Sequence, residues 1–244
     1  MKINLYCTAN LGDFMSALPV LSGVAKYTNE NIDFIIRPEM RKFNGIKEFL
    51  MHQGFFSSVN YSDEIFSYGT ILNLSSWTRE EKNNPNRPIE TCRYENWIND
   101  NYGMMFEVDD NFEVKIQDMD VESFNDKHII GDRWSHETID STRNTNVVEH
   151  GAKPDPSKVF YLDYSKSLMH NCNIIKKNPN PFITTFTGVG IIADMMNKET
   201  LVCWDDNMQE WVKRTFNKPI DFDFERHYYG NRKSKLVYVK DLVL

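Results

Sequence analysis

A chain of 244 residues with 41% hydrophobic and 13% aromatic residues holds enough apolar material for a packed interior, which excludes wholesale disorder. Its formal net charge of -7 repels polyanions, so contact with a nucleic acid requires a local basic patch. The four cysteines, Cys7, Cys92, Cys172 and Cys203, form no C-x-x-C pair, which argues against a disulfide framework or a zinc knuckle.

Lys2 to Thr8 is a β-branched and aromatic run that reads as a buried strand. After the turn Ala9-Asn10-Leu11-Gly12-Asp13, the apolar residues Met15, Leu18, Leu21, Val24 and Ala25 recur at helical spacing. They predict one helix up to Tyr27, bent at Pro19, where a hydrogen bond is lost. A strand at Ile32 to Arg37, a helix at Phe43 to His52 and a strand at Thr70 to Leu74 follow. That alternation implies a parallel sheet with crossover helices. Ser75 to Arg93, polar and containing Pro85 and Pro88, reads as a long loop, Tyr94 to Met105 as a helix and Phe112 to Ile116 as strand-like. The acidic stretch Asp118 to Asp126 is the expected interdomain link. It divides the chain into an N-terminal α/β domain, residues 1–120, and a C-terminal α/β domain, residues 121–244.

The second half repeats the rhythm, with strands at His128 to Gly131, near Val147-Val148 and at Val159 to Leu162, then a helix at Ser165 to Lys177. A strand at Phe182 to Phe186, the turn Thr187-Gly188-Val189-Gly190, a helix to Met196 and a strand at Thr200 to Trp204 come next. A helix at Met208 to Phe216 and a hairpin at Tyr229 to Lys235, turning on Gly230-Asn231, complete the pattern. No apolar run approaches a membrane span, and the start lacks the layout of a secretory signal, so a cytoplasmic location is expected. The abundance of Asn, Lys, Ile and Asp suits an AT-rich genome, bacterial or phage, and in the phage case the location is the host cytoplasm.

Two loops follow a strand and open a helix, where backbone N–H groups and the helix dipole favour an anion: Asn10-Leu11-Gly12-Asp13 and Thr187-Gly188-Val189-Gly190. Either alone serves a tight turn as readily as a ligand, but their occurrence at equivalent places in two α/β halves is more informative. The stretch INLYCTANLGDFMSALPVLSGV resembles the N-terminal signature of the ADP-heptose:lipopolysaccharide heptosyltransferases, glycosyltransferase family nine. In that family a strand runs into a small-residue loop, Gly-Asp and a helix carrying Leu-Pro, which here are Gly12-Asp13 and Leu18-Pro19. The stretch FITTFTGVGIIADMMNKETLVCW is similar to the donor-site segment of the same family.

The resemblance implies a GT-B architecture, two Rossmann-like domains facing across a cleft, and a metal-independent, inverting transfer of sugar from a nucleotide-sugar donor to an acceptor hydroxyl, with no further cofactor. Carried over residue by residue, it makes Asp13 the general base, Asn10, Leu11 and Gly12 the cleft loop, and Thr187, Gly188, Val189 and Gly190 the cradle of the donor diphosphate. Arg133 becomes the assisting cation. The residues themselves leave Asp13 open to a second role as a helix cap, and Arg133 to one as a surface arginine paired with Asp132 or Glu137. Phe186 and Ile191 stand where the family has an acid and a histidine, which keeps open a non-catalytic protein that binds a nucleotide or nucleotide sugar. The acceptor is a saccharide of a surface glycan or a hydroxymethylated base of phage DNA. Arg226 to Lys235 is the one local basic and aromatic cluster, either a solvated hairpin or a surface for phosphates and bases. The histidines lack metal-ligand spacing, and Asp221-Phe222-Asp223 lies outside a strand-loop setting, so no metal is expected.

Overall fold

The computed structural model describes residues 3–7, 11–61, 70–73, 84–131 and 155–242. The expected strand near Val147-Val148 and residues 75–83 of the expected loop lie outside them. The first half runs β1 (Ile3–Cys7), α1 (Leu11–Met15), α2 (Leu18–Thr28), β2 (Ile32–Ile36), α3 (Ile46–Met51), β3 (Phe56–Tyr61) and β4 (Thr70–Asn73). Its four strands are parallel in the order β3-β2-β1-β4. Strand β2 is buried along its whole length, as a central parallel strand covered on both faces must be.

Two helices occupy the stretch where one bent helix is expected. The chain breaks at Ser16-Ala17, and Pro19 falls in the first turn of α2 rather than in a helix interior. There its missing N–H removes no bond, so proline starts the second helix instead of bending the first. Strand β3 is absent from the sequence reading because Ser57, Ser58 and Asn60 dilute its apolar pattern. It is an edge strand, and the hydroxyls of Ser57 and Ser58 donate to the buried carboxylate of Asp33 on β2.

Helix α4 (Ile89–Tyr102) starts just after Pro88, inside the segment expected to be loop to Arg93. It buries Ile89, Cys92, Tyr94, Trp97 and Ile98 and ends on Gly103 in the left-handed region (φ 64°). From Gly103 to Lys127 the chain crosses between the halves without regular structure apart from turns. Phe112 to Ile116 is therefore no strand. The Val114 N–H donates to the Met195 carbonyl (3.2 Å) and the Lys115 N–H to the Gln53 side-chain oxygen (2.9 Å), not to a neighbouring strand. Phe106, Val108, Phe112, Val114 and Phe124 are all buried along this crossing, which contains the expected link at Asp118 to Asp126.

The second half runs β5 (His128–Gly131), β6 (Val159–Tyr161), α5 (Leu168–Lys177), β7 (Phe182–Thr184), α6 (Gly188–Met195), β8 (Thr200–Trp204), α7 (Asp206–Phe216), α8 (Ile220–His227) and β9 (Lys235–Tyr238). Its strands are parallel in the order β6-β5-β7-β8-β9. The expected hairpin at Tyr229 to Lys235 does not form: β9 lies parallel to β8, reached through α8, with Leu201 opposite Lys235. One apolar cluster runs from Leu5 to Tyr229, so the two sheets share a core. Among the described residues no helix is long and apolar enough to cross a membrane.

The C-terminal segment is fastened to α6 by Asp194, a fully buried residue. Its carboxylate accepts from the Tyr229 N–H (3.2 Å) and the Ser234 hydroxyl (2.5 Å), and its carbonyl accepts from the Arg232 guanidinium (2.6 Å). Burial pushes the Asp194 carboxyl up to about 6, against the pull of Ser234 and Arg232. A carboxyl raised in the folded state favours folding while protonated, a contribution present below the ordinary aspartate range and lost as pH rises to about 6. The loss amounts to about 3 kcal/mol at most. Urea unfolding of Asp194→Asn at pH values from 4 to 7 is expected to show a flatter pH dependence of stability than the parent over that window.

Candidate functional site

In open parallel sheets a ligand crevice forms outside the carboxyl ends of strands where the strand order reverses. The order reverses between β1 and β4 in the first sheet and between β5 and β7 in the second. Strand β1 leads into α1, which carries Asp13, and β7 leads into α6 through Thr187. The two loops singled out in the sequence thus leave the reversal points of their sheets.

The starts of α1 and α6 also touch. A methyl group placed on Gly188 meets the Leu11 side chain at 2.7 Å and the Gly12 nitrogen at 3.1 Å, and one placed on Gly12 meets the Ile191 side chain at 3.1 Å. Only glycine allows the two backbones this approach. Thr187 caps α6: its hydroxyl accepts from the Gly190 N–H (3.1 Å) and lies 2.9 Å from the Thr184 hydroxyl, which donates to the Gly131 carbonyl. Val189 points into the core, and Gly190 leaves room for Tyr228, whose hydroxyl lies 2.5 Å from where a methyl group would sit. Of the two predicted loops, Leu11 and Gly12 are therefore packed against Gly188, with Ile191 beside them. Asn10 and Arg133 lie outside the described residues.

Asp13 is a quarter exposed and faces α4 and α8. One carboxylate oxygen lies 3.7 Å from His227 Nε2 and 3.9 Å from Arg226 Nη2. Arg226 in turn gives its short contacts elsewhere: Nη2 to Glu90 Oε1 at 2.6 Å, Nε to the same oxygen at 2.8 Å, and Nη1 to Asp223 at 2.9 Å. Arg93 adds a third contact to that Glu90 oxygen at 3.1 Å. Glu90 is fully buried, and its other oxygen, Oε2, has no hydrogen-bond partner among the described residues. Burial pushes the Glu90 carboxyl above its ordinary value, Arg226 and Arg93 pull it back, and the charge of Asp13 pushes it further up. Burial works against the Arg226 charge, yet Glu90, Asp223 and Asp13 together hold the guanidinium above its ordinary value.

Asp13, Glu90 and His227 bring potential ligand atoms within 4.8 Å of one another. The cluster already contains its cation, because the Arg226 guanidinium is bonded to Glu90 and stands beside Asp13. The donor set fits a guanidinium rather than a metal ion. Glu90, Arg226 and His227 are not singled out as partners of Asp13 in the sequence reading. Glu90 lies in a stretch that reads as loop, and Arg226 and His227 lie in the cluster read as a solvated hairpin. The one available signal is the Asp223/Arg226 spacing, which pairs on a helix.

That basic and aromatic cluster turns inward. Tyr228 and Tyr229 are 2% exposed, and Arg232 stacks on Tyr229 (4.1 Å) while its guanidinium donates to the carbonyls of Phe112 and Asp194. The hairpin does not form and the two tyrosines and Arg232 are turned inward, while Lys233 and Lys235 stay exposed.

No family model matches the sequence, and no curated protein matches it. Solved structures do. The Escherichia coli heptosyltransferase WaaC with ADP aligns with 98% of this chain and 93% of its own, at a TM-score of 0.59 and 9% identity. A glycosyltransferase family 9 structure from Veillonella parvula DSM 2008 aligns over 97% and 86%, at a TM-score of 0.57 and 9% identity. WaaC with ADP-2-deoxy-2-fluoro heptose aligns over 97% and 93%, at 0.55 and 9%. At such identity the likeness is one of fold: the chain has the two-domain, Rossmann-like GT-B architecture of these proteins.

Removing Arg226 strands two buried carboxylates, Glu90 and Asp223, whereas removing all three charges strands none. Arg226→Met is expected to lose about 3–5 kcal/mol in urea unfolding, and Glu90→Gln/Asp223→Asn/Arg226→Met to recover most of it.

Proposed function

We propose that this chain is a glycosyltransferase that moves a sugar from a nucleotide-sugar donor to an acceptor hydroxyl, with Asp13 as general base. The observation that carries this reading is the position of Asp13: a partly exposed carboxylate on α1, whose start packs on the start of α6, each helix leaving the reversal point of its sheet. The fold shared with WaaC, a heptosyltransferase solved with ADP, adds support.

A sugar hydroxyl is a poor nucleophile near neutral pH. Asp13 takes its proton as the oxygen attacks the anomeric carbon. The bond from that carbon to the diphosphate oxygen breaks, and the nucleoside diphosphate leaves with the electron pair. In-line attack inverts the anomeric centre. The growing charge on the leaving group is met at the start of α6, where the N–H groups of Gly188 and Val189 and the helix dipole converge. Thr187 shapes this end by capping Gly190, and Arg133 is the cation assigned to assist. No metal is needed in this scheme, since the charge is met by backbone groups and arginine.

Of the two acceptor classes, the saccharide is favoured. The cluster that would favour DNA, Arg226 to Lys235, has its aromatic residues buried and Arg226 held in ion pairs. One observation favours a non-catalytic nucleotide-sugar binder as the second reading: Phe186 packs edge-on to Tyr228 (6.5 Å) and Ile191 is buried, so neither position offers a polar group to a donor.

Incubation with a panel of nucleotide sugars and short saccharides, read by release of nucleoside diphosphate, separates the two. Asp13→Asn is expected to lower turnover by about 10²–10⁴-fold while leaving donor affinity by calorimetry nearly unchanged. Retained turnover leaves Asp13 as a structural residue, and donor binding without turnover in the parent selects the binder.

A further inference from the structure

Glu90 is a costly residue for its place. A carboxylate with no exposure and one oxygen lacking a hydrogen bond carries a large desolvation penalty, and an apolar residue of similar volume would fill the space more favourably. Its three short contacts are all to arginines, and two of them come from Arg226. Besides Glu90 at 2.6 Å and Asp223 at 2.9 Å, Arg226 has the Asp13 carboxylate within reach at 3.9 Å.

An arginine placed between two carboxylates binds the better positioned one and stabilises its charge. If Glu90 were neutral, the nearest full negative charges left to Arg226 would be Asp223, already bonded through Nη1, and Asp13. The Nη2 group, released from Glu90, then turns toward Asp13. A guanidinium in hydrogen-bond contact lowers the proton affinity of a carboxylate, and a carboxylate so engaged is a weak base.

We propose that Glu90 is a positioning residue that draws the Arg226 guanidinium away from Asp13 and so preserves the basicity of Asp13. This rests on the reading of Asp13 as the general base. The groups facing Asp13 from the elements packed around it are Glu90, Arg93 and Tyr94 on α4, and Asp223, Arg226 and His227 on α8. The first turn of α6, Gly188 to Ile191, presents none, and its Asp194 lies toward the far end of that helix. Neither variant below alters His227, so its contact with Asp13 is common to all the proteins compared.

The test is the titration of the Asp13 side-chain carboxyl, followed by carbon NMR of labelled full-length protein with Asp13→Asn for assignment. In Glu90→Gln the proton affinity of Asp13 is expected to fall about tenfold, a downward move of about one pH unit. In Glu90→Gln/Arg226→Met it is expected to return to the parent value or above. An unchanged Asp13 titration in Glu90→Gln overturns the proposal. A drop that persists in the double variant also overturns it, because Glu90 would then act by its own charge and not through Arg226. Should Glu90→Gln fail to fold, Glu90→Asp, with a shorter carboxylate and a looser hold, is expected to give a smaller shift in the same direction, and no shift overturns the proposal.

With turnover established, the acid limb of the kcat/KM profile moves down with the Asp13 titration and the plateau falls, which a purely structural Glu90 does not produce. The titration needs no turnover, so the two readings fail separately. Turnover retained in Asp13→Asn ends the base assignment and leaves the titration result standing. Turnover lost in Asp13→Asn, with an Asp13 titration indifferent to Glu90, ends this proposal alone.

Discussion

The buried guanidinium of Arg226, bonded to Glu90 and Asp223, ties the last helix of the chain to the first half of the molecule. A buried ion pair is weak evidence of stability, since its desolvation offsets most of its attraction. Its value lies in geometry. The two bonds to Glu90 are satisfied only when α8 lies against α4 at one register, and that register sets His227 and Arg226 beside Asp13. Phe216 covers the other side of the guanidinium at 4.9 Å, keeping water from it and strengthening the pairs it makes.

A second constraint is steric and acts at the opposite side of Asp13. The starts of α1 and α6 approach so closely that a single methyl group on Gly188 would enter the Leu11 side chain. A continuous apolar cluster lies behind them, and each of the two helices leaves the reversal point of its sheet. The carboxylate proposed to abstract a proton therefore lies on the helix that packs against the helix end proposed to receive a diphosphate.

The crossing from Gly103 to Lys127 and the C-terminal segment hold this arrangement from outside. Arg232 bonds the crossing through the Phe112 carbonyl and α6 through the Asp194 carbonyl, and Gly230 donates to the Asn86 carbonyl ahead of α4. Arg232, part of what looks like a basic surface in the sequence, is thus spent on satisfying backbone carbonyls in an irregular, buried stretch, where leaving them unpaired would be costly.

The sequence by itself determined the strands and helices with strong periodicity, β1, β2, β5, β7, β8, α5 and α7 among them, and the placing of two glycine-bearing turns after strands. Local pattern suffices there because a buried parallel strand or an amphipathic helix must show its apolar residues at a fixed period. It also singled out Asp13 and its loop as candidates, since Gly-Asp followed by Leu-Pro is a contiguous motif. What failed locally was weakly patterned: edge strand β3 with its serines, the polar start of α4, and α8 among mixed charges and aromatics. Tertiary structure alone decided that Pro19 begins a helix, that β9 joins its sheet in parallel, and that Arg226, His227 and Glu90 meet Asp13. Residues 13, 90 and 226 come from three distant helices, and a salt bridge between buried groups leaves no periodic trace in the chain. Only the packing of α8 across α4 brings the charges together, and only their desolvation there gives the contact consequence.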